Sequence, residues 1–257
     1  DDERLFNWHA ALFPAGRSGM SRIAVGRWRD DSRGPMQVVS GPLGGEHVHY
    51  QAPAANLLQN EMQKFLNWFE GDATPDPVLK AGLAHLWFVT IHPFDDGNGR
   101  IARAIADMSL SRADGTENRF YSMSAQIRVE WKAYYEVLEA TQKGDLDVTL
   151  WLEWFFGCLA RAFDGAEETL AAVLSKAQFW EAHGKSALNE RQRAMINRLL
   201  DGFEGKLTSS KWATLNKCSP DTALRDILDL VARGILVRNP GAGRSTSYSL
   251  GMSGERG

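Results

Sequence analysis

The chain has 257 residues, 44% hydrophobic and 24% charged, with a formal net charge of −3. This excludes a disordered or fibrous chain and leaves enough apolar material, including twelve Phe and nine Trp, for one large or two smaller domains. The two cysteines, Cys158 and Cys218, show no metal-ligand or CxxC spacing, which fits a reducing compartment with both thiols as buried packing residues. The chain opens on Asp1-Asp2-Glu3-Arg4, with no signal-peptide pattern. The most apolar run, Val148 to Phe163, is too short for a bilayer and carries Glu153 and Arg161. A cytoplasmic protein without a membrane contact is the expectation, and the lack of an initiator Met suggests a fragment or a processed form. Residues 186–250 hold ten Lys and Arg against six Asp and Glu, which is +4 and leaves about −7 for the rest; the two parts are expected to meet different partners.

In chain order, LFNWHAALFPAG (5–16) predicts a helix stopped by Pro14 and Gly16. IAVGRWR (23–29) and MQVVSG (36–41) are β-branched runs separated by DDSRGP, and VHYQAP (48–53) stays extended, with Pro53 biasing Ala52 away from helix. Residues 23–53 thus predict a small β-hairpin and an extended arm. From Ala54 the period changes: Leu58, Met62, Phe65, Leu66 and Phe69 mark an amphipathic helix ending at Gly71. Pro75 and Pro77 start the next helix, Val78 to about Ile91, and helix resumes from Ile101 to Leu110. Further helices are expected at about 126–142, 147–163 and 165–182. HGKSALNE (183–190) is a polar join. Beyond it, helices are expected at 190–201 and 207–215 and from Ser219-Pro220 to Gly234, followed by strands 235–239 and 245–250 around a PGAG turn. Three helices and a two-stranded wing make the pattern of a winged helix-turn-helix. The fold class is therefore mainly α: a helical domain with a β-hairpin over 1–182 and a winged helix-turn-helix over 183–257.

The segment IHPFDDGNGRIARAI (91–105) interrupts the helices. Its two glycines let the backbone approach a ligand closely, and consecutive N–H groups then face one concavity at the positive end of a helix starting near Gly99. That arrangement suits a phosphate. Arg100 and Arg103, one turn apart, can both reach a phosphate chain above the helix start. Asp96 suits a divalent cation, Mg²⁺, shared with substrate phosphates. His92 across the loop can take a proton from an attacking hydroxyl. Together these groups suggest transfer from a nucleotide by positioning and charge neutralisation. Taken alone, DDGNG reads equally as a solvated turn; the whole string from His92 to Arg103 is far more specific.

That string, His92-Pro93-Phe94-Asp95-Asp96-Gly97-Asn98-Gly99-Arg100-Ile101-Ala102-Arg103, resembles the complete Fic (Fic/Doc) family signature, HxFx[D/E]GNGRxxR. The resemblance runs from about residue 5 to 165, through GPLGGEHVHYQAP and YSMSAQIRVEWKAYYEVLEATQKGDLD, and a winged-helix tail is common in one bacterial branch. It implies a Fic-type helical core and a protein adenylyltransferase, a nucleotidyltransferase moving AMP from ATP to a Ser, Thr or Tyr hydroxyl with Mg²⁺ as cofactor. His92 would be the base, Phe94 a core anchor at the nucleotide site and Asp96 the Mg²⁺ ligand. Gly97, Asn98 and Gly99 would cradle the α- and β-phosphates. Arg100 and Arg103 would hold the outer phosphates, Arg103 mainly the γ-phosphate. The hairpin at about 36–53 resembles the family's flap, which aligns a target protein along Gly44 to Tyr50 by strand addition. Val48 and His49 either touch the nucleotide or pack as an ordinary edge strand. Tyr134, Tyr135 and Gln142 resemble the adenosine pocket, although relatives commonly have Asn where this chain has Gln142, and a YY pair is also ordinary core. His85 is expected to be structural; His9, His47 and His183 have no constellation.

Many relatives carry an inhibitory helix, [S/T]xxxE[G/N], whose Glu pairs with the second motif arginine. No such string precedes residue 92 here; a Glu upstream would give Arg103 a second role and open AMP removal. UMP or phosphocholine transfer and phosphorylation are the other family chemistries. A reading from a different class is a DNA-binding regulator whose Fic core senses a nucleotide. In the tail, Ala223, Leu224, Ile227, Leu228 and Val231 are expected on a buried face, with Lys217, Thr222, Arg225 and Asp226 toward the other. Arg238 and Arg244 on the wing keep DNA open as a partner. A protein-docking or homodimer module and self-modification stand beside it.

Overall fold

Asp1 caps the first helix by accepting the Arg4 N–H, and α1 (Asp2–Leu12) runs until Pro14 and the left-handed Gly16 end it. The computed structural model describes residues 1–42, 44–71, 76–115, 119–184, 186–240 and 246–251. They divide into two units, Asp1–Ala166 and Glu167–Gly257. Among the described residues no helix is long and apolar enough to cross a membrane.

In the first unit, two short antiparallel pairs follow α1: β1 (Arg17–Ser18) with β2 (Ser21–Arg22), and β3 (Gln37–Ser40) with β4 (His47–Gln51). The β3–β4 register slips between Val38 and Val39, so His49 has no cross-strand partner in the ladder. The helices are α2 (Leu58–Glu70), α3 (Pro77–Ile91), α4 (Asn98–Asp114), α5 (Met123–Val129), α6 (Trp131–Lys143) and the first part of α7 (Thr149–His183). Helix α3 starts where Asp76 accepts the Val78 and Leu79 N–H groups and Pro77 fills the first turn. It is buried on nearly every side, through Ala81, Ala84, Phe88, Val89 and Ile91, as its continuous apolar sequence demands. It packs on α4 around Phe65, Phe94, Ile101, Trp151 and Phe155. Each such side chain contributes roughly 1.5–3 kcal/mol on burial, so the loop between α3 and α4 hangs from the most strongly held pair of helices.

The second unit begins within α7 and contains α8 (Glu190–Leu200), α9 (Ser209–Asn216), α10 (Pro220–Ala232) and the antiparallel pair β5 (Leu236–Arg238) and β6 (Tyr248–Leu250). Asn189, Thr208 and Ser219 cap the three helices, and Met195, Trp212, Ile227 and Leu236 lie in its own core.

Several expectations need correction. Residues 23–29 form no strand, because their polar groups are spent elsewhere: Ala24 N–H donates to Asp95, Gly26 N–H to His9, and the buried Arg29 to His92. The hairpin is β3–β4 instead. The helix expected at 126–142 is two, broken at Glu130, whose carboxylate takes both Arg161 Nε and Nη2 at 2.7 and 2.6 Å. The two helices expected at 147–163 and 165–182 are the single α7; Gly165 costs only about 1 kcal/mol relative to Ala inside a helix, too little to end it. The boundary between the two units, after Ala166, lies within α7. On α10, Leu224 and Leu228 are 42% and 52% exposed, while Asp226 is buried. Asp226 accepts from Asn189 and Arg191 and so pins α8, which rotates the apolar pair outward. Cys158 is buried but Cys218 only half-buried, and both are free thiols. Arg244 and most of the PGAG turn lie outside the described residues.

Candidate active site

The chemistry of the 92–103 segment depends on three local devices. The first is the end of α3, where His92 takes a left-handed conformation at φ 52°, uncommon for a residue with a Cβ. Its Nδ1–H donates to the Val89 carbonyl at 3.1 Å, which leaves Nε2 with the free lone pair. Burial pushes the imidazole pKa below its ordinary value, against the upward pull of the Val89 carbonyl. A neutral ring with a bare Nε2 is the form that a general base requires.

The second device is a clamp. Asn98 is 2% exposed; its Oδ1 accepts the Phe94 N–H at 3.0 Å and its Nδ2 donates to the Phe94 carbonyl at 2.7 Å. The loop is thus closed on itself, with Phe94 fully buried against Phe6, His9 and Trp28. The third is the helix start. Gly97 sits at φ 87°, and a Cβ there would come within 2.9 Å of the Phe13 ring, so only glycine fits. The N-terminus of α4 is left facing the space above it with its positive dipole end.

That space is a cavity of about 560 Å³, lined by His92, Asp96, Gly97, Asn98, Gly99 and Arg103 together with His49, Tyr135 and Gln142. Arg103 is half-buried there and makes no ion pair among the described residues. A partly desolvated guanidinium without a counter-charge is chemically suited to an anion.

Residues 1–110 match the family model described as Fic/DOC family. Over those residues the chain is similar to the Fic/DOC family. The protein adenylyltransferase Fic of Drosophila yakuba is 37% identical over 104 residues, covering 40% of this chain and 19% of the relative. The protein adenylyltransferase fic-1 of Caenorhabditis elegans is 28% identical over 134 residues, covering 51% and 21%. The chain thus spans about a fifth of the length of these curated relatives. The crystal structure of a Fic family protein from Desulfovibrio desulfuricans G20 covers all of this chain and 70% of that one, with a TM-score of 0.52 at 22% identity. The mainly helical fold is shared with that protein.

Within the first unit, the sequence-predicted residues divide into three groups. His92, Asp96, Gly97, Gly99, Arg103, His49, Tyr135 and Gln142 line the cavity. Asn98 and Tyr134 reach it too, but their polar groups face inward: Asn98 clamps Phe94, and the buried Tyr134 hydroxyl lies 3.0 Å from His85 Nε2. Phe94, Arg100 and Val48 lie outside the lining. The Arg100 guanidinium sits over the Phe13 ring at 4.6 Å and 3.5 Å from the Asp96 carboxylate, and Val48 is 40% exposed. Gln142 donates to Thr90 Oγ1 at 3.1 Å, and Tyr50 OH to the Thr90 carbonyl at 2.8 Å.

Four supporting residues carried no motif signal. Arg29 donates from Nε to the His92 carbonyl at 2.8 Å, from Nη2 to Pro53 at 2.6 Å and from Nη1 to Asp31 at 3.0 Å. His9, expected to have no constellation, is fully buried: Nε2–H donates to the Asp96 carbonyl, Nδ1 accepts the Gly26 N–H, and the ring stacks on Phe94 at 4.1 Å. Ser18 hydrogen-bonds Asp96 Oδ2. Glu139 on α6 meets His49 Nδ1 at 2.5 Å. A polar residue inside an apolar helical stripe, as His9 is beside Leu5, was the one available hint.

Proposed function

We propose that the Fic domain transfers AMP from ATP to a side-chain hydroxyl of a target protein. The observation that carries the reading is the pairing, across one cavity, of a neutral His92 with its Nε2 free and an Arg103 with no counter-charge among the described residues. ATP would lie with its phosphates at the N-terminus of α4, held by backbone N–H groups of the Gly97–Gly99 turn and by Arg103. His92 Nε2 takes the proton of the target hydroxyl. The oxygen bonds to the α-phosphorus, the bond from that phosphorus to the bridging oxygen breaks, and pyrophosphate leaves. Arg29 and Asn98 act only by positioning, the first through the His92 carbonyl and the second through Phe94.

The donor set suits Mg²⁺. Asp96 is half exposed, and its two oxygens accept from the Gly97 N–H and the Ser18 hydroxyl, which leaves lone pairs for a hard cation. Asp95 is committed to the Ala24 N–H at 2.8 Å. Bound between Asp96 and the phosphates, Mg²⁺ would neutralise charge on the leaving group. For the target, the bulged β4 edge offers main-chain groups for strand addition. For the second unit, the exposed Leu224 and Leu228 beside Arg225 favour a protein-docking role over DNA.

Incubation with α-labelled ATP and Mg²⁺ should label a protein substrate or the chain itself, and His92→Ala should abolish the label while leaving the melting temperature nearly unchanged. Labelling that persists in His92→Ala removes the assigned base. Label from UTP or CDP-choline but not ATP replaces the nucleotide while keeping the site.

A further inference from the structure

At the rim of the cavity, three side chains from two elements converge without serving the phosphate site. His47 and His49 lie on β4, and Glu139 lies on α6. The register slip that leaves His49 unpaired brings the two imidazole rings to 4.6 Å. His47 Nε2 is 3.7 Å from Glu139 Oε1, and His49 Nδ1 is 2.5 Å from Glu139 Oε2. The three nearest ligand atoms all lie within 4.8 Å of one another. Tetrahedral ligands about 2.0 Å from a zinc ion stand roughly 3.3 Å apart. The cluster therefore needs adjustments of up to about 1.5 Å, and Glu139, at the helix surface, has the rotamer freedom to make them.

We propose that His47, His49 and Glu139 form a binding site for a divalent transition ion of the Zn²⁺ class, which ties the flap strand to α6. Two imidazoles and one carboxylate are a donor set that favours such an ion over Mg²⁺. His49 already has the outer-shell partner that ligating histidines use: its other nitrogen, Nε2, is 2.6 Å from Ser40 Oγ on the paired strand. The geometry leaves the fourth position to water, since the site opens at the surface and the His47 side chain is 66% exposed. Lys143 opposes the ion, because its ammonium holds Glu139 Oε1 at 2.5 Å. His49 and Glu139 lie in the lining of the same cavity, but the proposed ligand atoms are distinct from the His92 and Arg103 groups assigned to the transfer chemistry.

Titration of the chain with Zn²⁺ in a non-coordinating buffer, followed by calorimetry, tests this. One ion per chain is expected, not displaced by excess Mg²⁺. His47→Ala and Glu139→Gln should weaken binding roughly tenfold or more, a loss of about 1.4 kcal/mol. Lys143→Met should bind as tightly as the parent or more tightly. His47 is exposed, so its variant retains the fold, which the melting curve verifies. Amide exchange should slow in residues 37–51 on adding Zn²⁺ to the parent and not to His47→Ala. Equal affinity in parent and His47→Ala, or binding weaker than about 100 μM in the parent, overturns the assignment.

Discussion

Around the loop that carries His92, polar groups are consumed by the protein itself: Asn98 closes on both backbone groups of Phe94, His9 holds the Asp96 carbonyl, and Arg29 holds the His92 carbonyl. The β3–β4 hairpin, which shares the same cavity, is held differently. It is exposed along most of its length, with few anchors beyond Tyr50 to Thr90 and His49 to Glu139. The loop is over-determined and the hairpin is lightly tied. A proton transfer requires the first kind of support, since small displacements of the base cost rate. An edge proposed to pair with a target segment would benefit from the second.

This contrast can be broken most severely at Arg29. Its side chain has no exposure and satisfies two carbonyls and a carboxylate. Arg29→Ala should cost about 3 kcal/mol or more, read by denaturant unfolding, and should lower the transfer rate because the His92 carbonyl loses its anchor. A variant as stable as the parent would show that the loop does not depend on this rivet. Asn98→Ala comes next. It orphans the Phe94 N–H and carbonyl and should cost about 2 kcal/mol. The turnover number should fall further than the unfolding energy alone accounts for.

The motif string was legible at once, because a base, a carboxylate, two glycines and two arginines within twelve residues leave few alternatives. The braces were not. Arg29 lies in a run that alternates like a strand, and its role depends on carbonyls from residues 53 and 92, which no local pattern places beside it. His9 was likewise invisible, since a single histidine in a short helix is consistent with many surroundings. The expected buried face of α10 failed for a related reason: periodicity gave Leu224 and Leu228 to the core, whereas the Asp226 to Arg191 pair took that direction.

A smaller effect is expected from acid. His85 is buried against Tyr134 and Trp151, and burial pushes its pKa down to about 3. The unfolded chain binds this proton near pH 6.5 and the folded chain does not, so stability is full above about pH 6.5. It falls by about 1.4 kcal/mol per unit as pH drops toward 3. His85→Gln should flatten that slope in melting curves collected across this window. The His92 pKa is also depressed by burial, so transfer activity should be at plateau at neutral pH and decline on acidification with a midpoint below 6.5. The smallest effect belongs to the flap: without added metal, Glu139→Gln should leave the unfolding midpoint nearly unchanged. A loss as large as that of Arg29→Ala would make the hairpin a structural member and erase the contrast.

The sequence by itself determined the helical periods, most of the caps, the presence of a hairpin before the first long helices and the glycine turn at Gly97 that opens α4. Each of these follows from the chemistry of residues within one or two turns of each other. Only the tertiary structure decided that Asn98 faces inward rather than toward a ligand, that α7 runs unbroken through Gly165, and that Arg103 lacks a counter-charge among the described residues. It also decided that two histidines on a bulged strand meet a glutamate ninety residues away. Those outcomes depend on which buried polar group finds a partner first, and partners far apart in sequence are set by packing rather than by local preference.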